Sequence, residues 1–211
     1  MKTKIDIISH RGFWLCPEEK NTEKAFRNSF ANGFGTETDV RDLSGRLVIS
    51  HDMPTGDELS FDDFLDIYSS YKGNLPLALN VKSDGIQDLI IKSLSSREIS
   101  NYFMFDMSVP DALQYKNKGI IFYSRVSELE PMEYVIDGSK GVWLDSFYDD
   151  WFSSTEIKAL LDRNYEVCIV SPDLHRRSYG DVWKILKDSG CSRSLMLCTD
   201  YPIHAREYFG S

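Results

Sequence analysis

At 211 residues, with 42% hydrophobic and 13% aromatic side chains, the chain is long enough to bury one sizeable core, and no Pro-, Gly- or Ser-rich linker divides it, so residues 1–211 read as a single domain. Its 24 Lys and Arg stand against 33 Asp and Glu, a net charge of −9 that excludes a general polyanion-binding surface: neither nucleic acid nor an anionic membrane is an expected partner, and an anionic ligand needs a local positive pocket. No apolar run approaches the roughly 20 residues of a membrane helix, Met1 to Lys4 runs straight into a strand without an apolar leader, and the four cysteines (Cys16, Cys168, Cys191, Cys198) lack C-x-x-C spacing, which together predict a reduced, cytoplasmic protein with no membrane anchor.

The first strand is expected at Ile5 to Ser9, and it delivers Ser9-His10-Arg11-Gly12 at its carboxyl end. A polar loop over Gly12 to Lys20 follows, and Asn21 or Thr22 can cap the next helix, whose stripe is Ala25, Phe26, Ser29 and Phe30 and whose stop is Asn32-Gly33. The second strand, Gly35 to Val40, carries Glu37 and Asp39 two positions apart. Their side chains therefore leave one face of the strand, about 7 Å apart at the backbone, and can share a cation.

Ser44-Gly45 predicts a hairpin that returns through Arg46 to Ser50 and delivers His51 and Asp52 near those carboxylates. This strand adds to the sheet without entering the β/α rhythm. Phe61 to Tyr68 has helical apolar spacing, and the acidic residues from Asp57 to Asp66 read as its solvated face. Leu77 to Lys82 reads as a buried strand, with Asn80 and Lys82 on one face and Leu77, Leu79 and Val81 on the other.

Beyond it strands are expected at 102–106, 120–124, 141–145, 165–170 and 195–198. Helices are expected at 109–118, from about 128, at 153–163, at 179–189 and from Ile203. With the hairpin strand set aside, about eight strands each precede a helix, which favours an α/β fold of the (β/α)8 TIM-barrel type, with one hairpin strand added after the second barrel strand. No G-x-G-x-x-G follows the first strand, so an open dinucleotide-binding sheet is the weaker reading. In a barrel the active site lies at the carboxyl ends of the strands, where His10, Glu37, Asp39, Lys82, Asp106, Arg125, Asp145, Ser171 and Asp200 fall.

The ordered set Ser9-His10-Arg11-Gly12, Asn21-Thr22 with Ala25-Phe26, Glu37-Thr38-Asp39-Val40 and Val48-Ile49-Ser50-His51-Asp52 resembles the glycerophosphodiester phosphodiesterase family. The likeness is strong over residues 5 to 82, with weaker echoes at Trp143-Leu144-Asp145 and Thr199-Asp200-Tyr201-Pro202. It implies a phospholipase C-like TIM barrel that hydrolyses a small-molecule phosphodiester, giving glycerol phosphate and an alcohol, with a divalent cation: Mg2+ or Ca2+, or alternatively Mn2+. His10 and His51 become the acid/base pair, Glu37 and Asp39 metal ligands, and Arg11 and Lys82 phosphate contacts. The chain departs from the family in two places: Asn80 stands where a third acidic ligand is usual, and the large insertion between His51 and Lys82 is missing.

The chemistry suits these residue types. Phosphodiester cleavage needs positive charge around phosphorus and two managed protons, and imidazole, with an ordinary pKa of about 6.5, can serve as base or acid near neutrality. Oxygen donors suit a hard cation, and Asn80 can supply a carbonyl oxygen though not a charge. Arg11 and Lys82 balance Glu37 and Asp39, so the phosphate site turns cationic only when a metal joins it.

Other residues have plainer readings. His175 and His204 are assigned to loops or the surface, and Arg125 and Asp145 each to a structural ion pair or a substrate contact. Trp143, Phe147, Tyr148 and Trp151 form core and rim packing, with Trp143 assigned to the leaving-group pocket. Ser9 and Ser50 lack a G-x-S-x-G elbow, which argues against a serine hydrolase. Two alternatives stand beside hydrolysis: a barrel that binds phosphate without turnover, which Asn80 permits, and a phosphodiesterase working through a cyclic phosphate.

Overall fold

The computed structural model describes residues 5–189 and 195–210; Met1 to Lys4 and Cys191 lie outside them. The chain divides into two compact units, Ser9–Phe122 and a second made of Met1–Ile8 with Tyr123–Ser211. Strand β1 (Asp6–His10) has its residues divided between the two units.

In the Ser9–Phe122 unit the order is α1 (Glu23–Ala31), β2 (Gly35–Leu43), β3 (Arg46–Ile49), α2 (Phe61–Ser69), β4 (Leu77–Val81), α3 (Gln87–Ser95), β5 (Tyr102–Phe105) and α4 (Val109–Asn117). Strands β2, β4 and β5 are parallel neighbours. All five residues of β4 are buried, as expected of a parallel strand covered on both faces. The core beneath α1 and α2 is aromatic: Phe26 meets Phe64 with ring centroids 4.6 Å apart, and Phe30 meets Tyr68 at 5.3 Å.

The hairpin forms as expected. Ser44 and Gly45 both take positive φ, 50° and 81°, the twist that a two-residue return needs, and β3 pairs antiparallel with β2 from Leu43↔Arg46 to Val40↔Ile49. Helix starts follow their side chains too. Thr22, Ser60 and Ser108 cap α1, α2 and α4 by accepting the amides of Ala25, Asp63 and Asp111. Because Thr22 is the cap, Asn21 is free for other work.

The second unit holds β6 (Tyr123–Val126), β7 (Gly141–Leu144), α5 (Ser154–Asp162), β8 (Glu166–Val170), α6 (Gly180–Asp188), β9 (Leu195–Thr199) and α7 (Pro202–Phe209). Its strands β6 to β9 are parallel, in sequential order. Cys168 and Cys198 are buried on β8 and β9, as the apolar runs around them require, and Cys16 is exposed.

Three expectations needed revision. Helix α3 was not read from the sequence, although Ile86, Ile90 and Leu94 sit four apart and are buried on its inner face. The strand expected at 120–124 begins later, at Tyr123. Gly119, at φ 68°, ends the preceding helix, and the amide of Ile120 still bonds back to the Tyr115 carbonyl, so the apolar run Ile120-Ile121-Phe122 is mostly connection. The helix expected from about 128 is a single 3-10 turn, Met132–Tyr134, hemmed in by Pro131 before it and Gly138 after it.

Candidate active site

The site begins where β1 stops. Arg11 and Gly12 both take left-handed backbone, φ 58° and 83°, which turns the chain sharply off the strand end. The Arg11 amide donates to the Glu37 carbonyl at 3.0 Å and lies 3.2 Å from its Oε2, so the turn is fastened to β2. Gly12 has no alternative: a Cβ there would lie 2.8 Å from both the carbonyl carbon and the Cβ of Ala25 on α1. Beyond the turn, the Trp14 indole donates to the His10 carbonyl at 3.0 Å, and Lys20 sits over the Trp14 ring at 4.4 Å.

Glu37 and Asp39 share a face of β2, as their spacing demands, and both are almost wholly buried, 2% and 0% exposed. Thr36 and Thr38 take the other face, where Thr36 donates to Ser29 of α1 at 2.7 Å. Around Asp39 the positive groups gather: Arg11 Nε lies 3.2 Å from its Oδ2 and Lys82 Nζ 3.4 Å from its Oδ1. The Asn21 side chain adds a hydrogen bond to Oδ2 at 2.9 Å. His10 Nε2 stands 3.9 Å from Glu37 Oε2, close enough to feel its charge and too far for a direct hydrogen bond.

In the parallel register Asp39 is the partner of Asn80. The Asn80 amide donates to Asp106 Oδ2 at 3.1 Å, and because a carboxylate only accepts, this bond fixes which end of the amide is oxygen. Asp106 itself takes positive φ, 65°, at the end of β5. The consequence is that Asn80 Oδ1 and Asp39 Oδ1 are both buried without a hydrogen-bond donor. Buried oxygens seldom lack a hydrogen bond, and these two stand at register-paired positions, with the Lys82 ammonium 3.4 Å from Asp39 Oδ1.

Electrostatics say the same. Burial, and then the neighbouring Asp39 charge, push the Glu37 carboxyl up to about 8, against the pull of Arg11 and Lys82. Even with Arg11 and Lys82 close by, Glu37 resists ionisation. Among the described residues no group of three His, Cys, Asp or Glu could hold a metal ion; Glu37, Asp39 and Asn80, two carboxylates and one amide, are the oxygen donors that could hold one. All-oxygen donors fit a hard divalent cation.

His51 is placed by the hairpin. The Ser50 amide donates to the Asp39 carbonyl at 3.0 Å, and the His51 carbonyl accepts from Arg41 at 3.1 Å, so the end of β3 is pinned to β2. Its ring is 44% exposed, with Nδ1 at 2.9 Å from Asp52 Oδ1, so it is Nδ1 and not Nε2 that Asp52 engages. His51, Arg11, Asn21 and Lys20 line one cleft of about 520 Å³. Arg41 serves the His51 loop, donating to the His51 carbonyl.

The remaining assigned residues lie in the other unit. Trp143 is buried on β7, register-paired with Arg125 and Cys168. Asp145 Oδ1 accepts from the Ser146 amide at 2.8 Å and lies 2.7 Å from His175 Nε2. His175 therefore has a buried acidic partner and is more than the loop residue the sequence suggested; nothing in its local pattern announces a contact 30 residues away. Arg125 pairs with Glu130 at 2.5 Å, which bears out its structural reading, and His204 is exposed and stacked on Tyr201. Sequence reasoning also missed the contact of Asn21 with Asp39.

No family model and no curated protein sequence matches the chain. Solved structures do. A candidate glycerophosphodiester phosphodiesterase of Galdieria sulphuraria aligns over 99% of both chains with TM-score 0.80 at 15% identity. The glycerophosphodiester phosphodiesterase of Agrobacterium tumefaciens aligns over 99% of this chain and 100% of that one, with TM-score 0.70 and 16% identity. A phosphodiesterase of Oleispira antarctica, solved with the product sn-glycerol-3-phosphate, aligns over 99% and 98% with TM-score 0.71 and 14% identity.

The fold is therefore the α/β, (β/α)8 TIM-barrel class, the architecture expected from the strand and helix rhythm, with β3 as the added hairpin strand. Within that class, the structures it is similar to include glycerophosphodiester phosphodiesterases.

Proposed function

We propose that the chain is a phosphoric diester hydrolase that cleaves a small glycerophosphodiester to glycerol phosphate and an alcohol, using a divalent cation. The observation that carries this reading is Asp39: a fully buried carboxylate flanked by Arg11 and Lys82, whose open Oδ1 is register-paired with the open Oδ1 of Asn80. Glu37, Asp39 and Asn80 would hold the cation, Mg2+, Ca2+ or Mn2+. When bound, it supplies the charge that withdraws electron density from the phosphoryl group.

The protein's own residues do the rest. Arg11 and Lys82 offer the phosphate oxygens two cations already aligned by Asp39, so little ordering remains on binding. His51, with Nδ1 held by Asp52, presents Nε2 to the cleft and exchanges the proton on the solvent side, with the departing alkoxide or the attacking water. His10, backed by buried Glu37, holds the complementary proton on the inner side. An all-hydrolytic course fits a product such as the glycerol phosphate seen in the Oleispira structure.

A panel of glycerophosphodiester head groups, assayed with Mg2+, Mn2+ or Ca2+ and again in excess chelator, tests the reading. Phosphorus NMR of the product distinguishes glycerol phosphate from a cyclic phosphate. Turnover undiminished by chelator would remove the cation, and no turnover with any head group or metal, with tight phosphate binding retained, would leave a phosphate-binding barrel.

A further inference from the structure

Asn21 makes side-chain contacts that neither helix capping nor loop geometry explains. It takes left-handed backbone, φ 60°, and its amide nitrogen donates to the Arg11 carbonyl at 3.0 Å, which closes the loop from Arg11 to Asn21 on itself. Asn tolerates that backbone better than most residues. The cap of α1 is the next residue, Thr22. The Asn21 side chain instead reaches across β2 and touches both of its faces: Thr38 Oγ1 donates to Asn21 Oδ1 at 2.9 Å, and Asn21 Nδ2 donates to Asp39 Oδ2 at 2.9 Å.

These two bonds fix the amide without ambiguity, since a carboxylate can only accept. They also fix the carboxylate. Oδ2 of Asp39 is committed to Asn21 and faces Arg11 Nε, so the torsion that would exchange the two oxygens is blocked and Oδ1 is left open beside Asn80. We infer that Asn21 is a positioning residue that selects which oxygen of Asp39 is offered to the cation, and that it couples the placement of Arg11 to that choice through the loop it closes. This rests on the metal assignment made above.

A partner that orients a metal-binding carboxylate typically changes metal affinity by about 10- to 100-fold when lost. Asn21→Gly removes the amide and keeps the backbone conformation. Titration calorimetry of the full chain with Mn2+ is expected to show at least ~10-fold weaker binding in Asn21→Gly. The Mn2+ concentration that half-saturates hydrolysis should rise by the same factor, with KM for the diester at saturating Mn2+ little changed. Thr38→Val, which removes only the anchor of the amide, should weaken Mn2+ binding less and in the same direction. The double variant should be no weaker than Asn21→Gly, because both substitutions cut one chain of contacts.

Wild-type Mn2+ affinity in Asn21→Gly, or a loss confined to the thermal midpoint in chelator, overturns the inference and leaves the proposed function standing. Should the glycine variant fail to fold, Thr38→Val decides: unchanged Mn2+ affinity there overturns it equally. If the wild-type chain takes up no Mn2+, the metal assignment falls and this inference falls with it.

Discussion

Asp39 and Asp173 are both buried carboxylates near strand ends, one in each unit, and their surroundings differ in kind. Asp173 is closed: its oxygens accept from the Thr199 hydroxyl at 3.0 and 3.1 Å and from the Asp200 amide at 2.7 Å. Asp39 has more positive charge around it and less hydrogen bonding, with Oδ1 left open. Burial alone therefore does not mark a functional acid. What sets Asp39 apart is an oxygen with positive charge beside it and no hydrogen-bond donor.

The largest effects should come from the histidines on the open side. His10→Ala and His51→Ala are each expected to lower turnover by roughly 10² to 10⁴ while leaving the melting transition in place. Steady-state kinetics with scanning calorimetry on the same samples checks both halves. Turnover within a few-fold of wild type in either variant would dissolve the contrast, because the open carboxylates would then have no acid or base beside them.

Next in size is the turn that brings Arg11 to Asp39. Gly12→Ala forces a Cβ to 2.8 Å from the Ala25 backbone at a φ of 83°, and the combined clash and strain should cost about 2–3 kcal/mol, read from chemical denaturation. A smaller, opposite change is expected at Asn80. Asn80→Asp supplies a third charge to the cation, yet it sets that charge against Asp106, which now accepts from the Asn80 amide. We expect Asn80→Asp alone to gain little metal affinity and Asn80→Asp with Asp106→Asn to gain about 10-fold or more by titration. Equal gains from the single and double variants would mean that Asp106 does not oppose the change.

How far the sequence could lead follows from the range of its signals. The grouping of Glu37, Asp39 and Asn80 was legible through strand parity and strand ends, and the Ser44-Gly45 hairpin through backbone chemistry; these are local patterns. The barrel rhythm was legible where apolar runs and helix stripes were clean, and it misled where they were not, at Ile120-Ile121-Phe122 and at the 3-10 turn Met132–Tyr134. Asn21 and the His175–Asp145 contact were not legible as such. Each depends on two side chains 18 and 30 residues apart meeting at 2.9 and 2.7 Å, and no period in the chain encodes that.

The smallest effect tests the closed member of the pair. At Asp173 burial outweighs the hydrogen bonds from Ser171, Asp200 and Thr199, so its carboxyl is held above the usual range. The folded chain then binds that proton more tightly than the unfolded chain, and stability falls as pH rises from the unfolded carboxyl value through the raised folded one. Asp173→Asn carries no such proton. Urea midpoints of wild type and Asp173→Asn, measured from mildly acidic to neutral pH, should therefore converge or cross as pH rises, with the variant losing about 1–3 kcal/mol at the acid end, where its amide group meets the Asp200 and Thr199 donors. Mn2+ affinity should be the same in both proteins. A change in metal affinity would place Asp173 with the open carboxylates after all, and the distinction between a used and an unused lone pair would lose its meaning here.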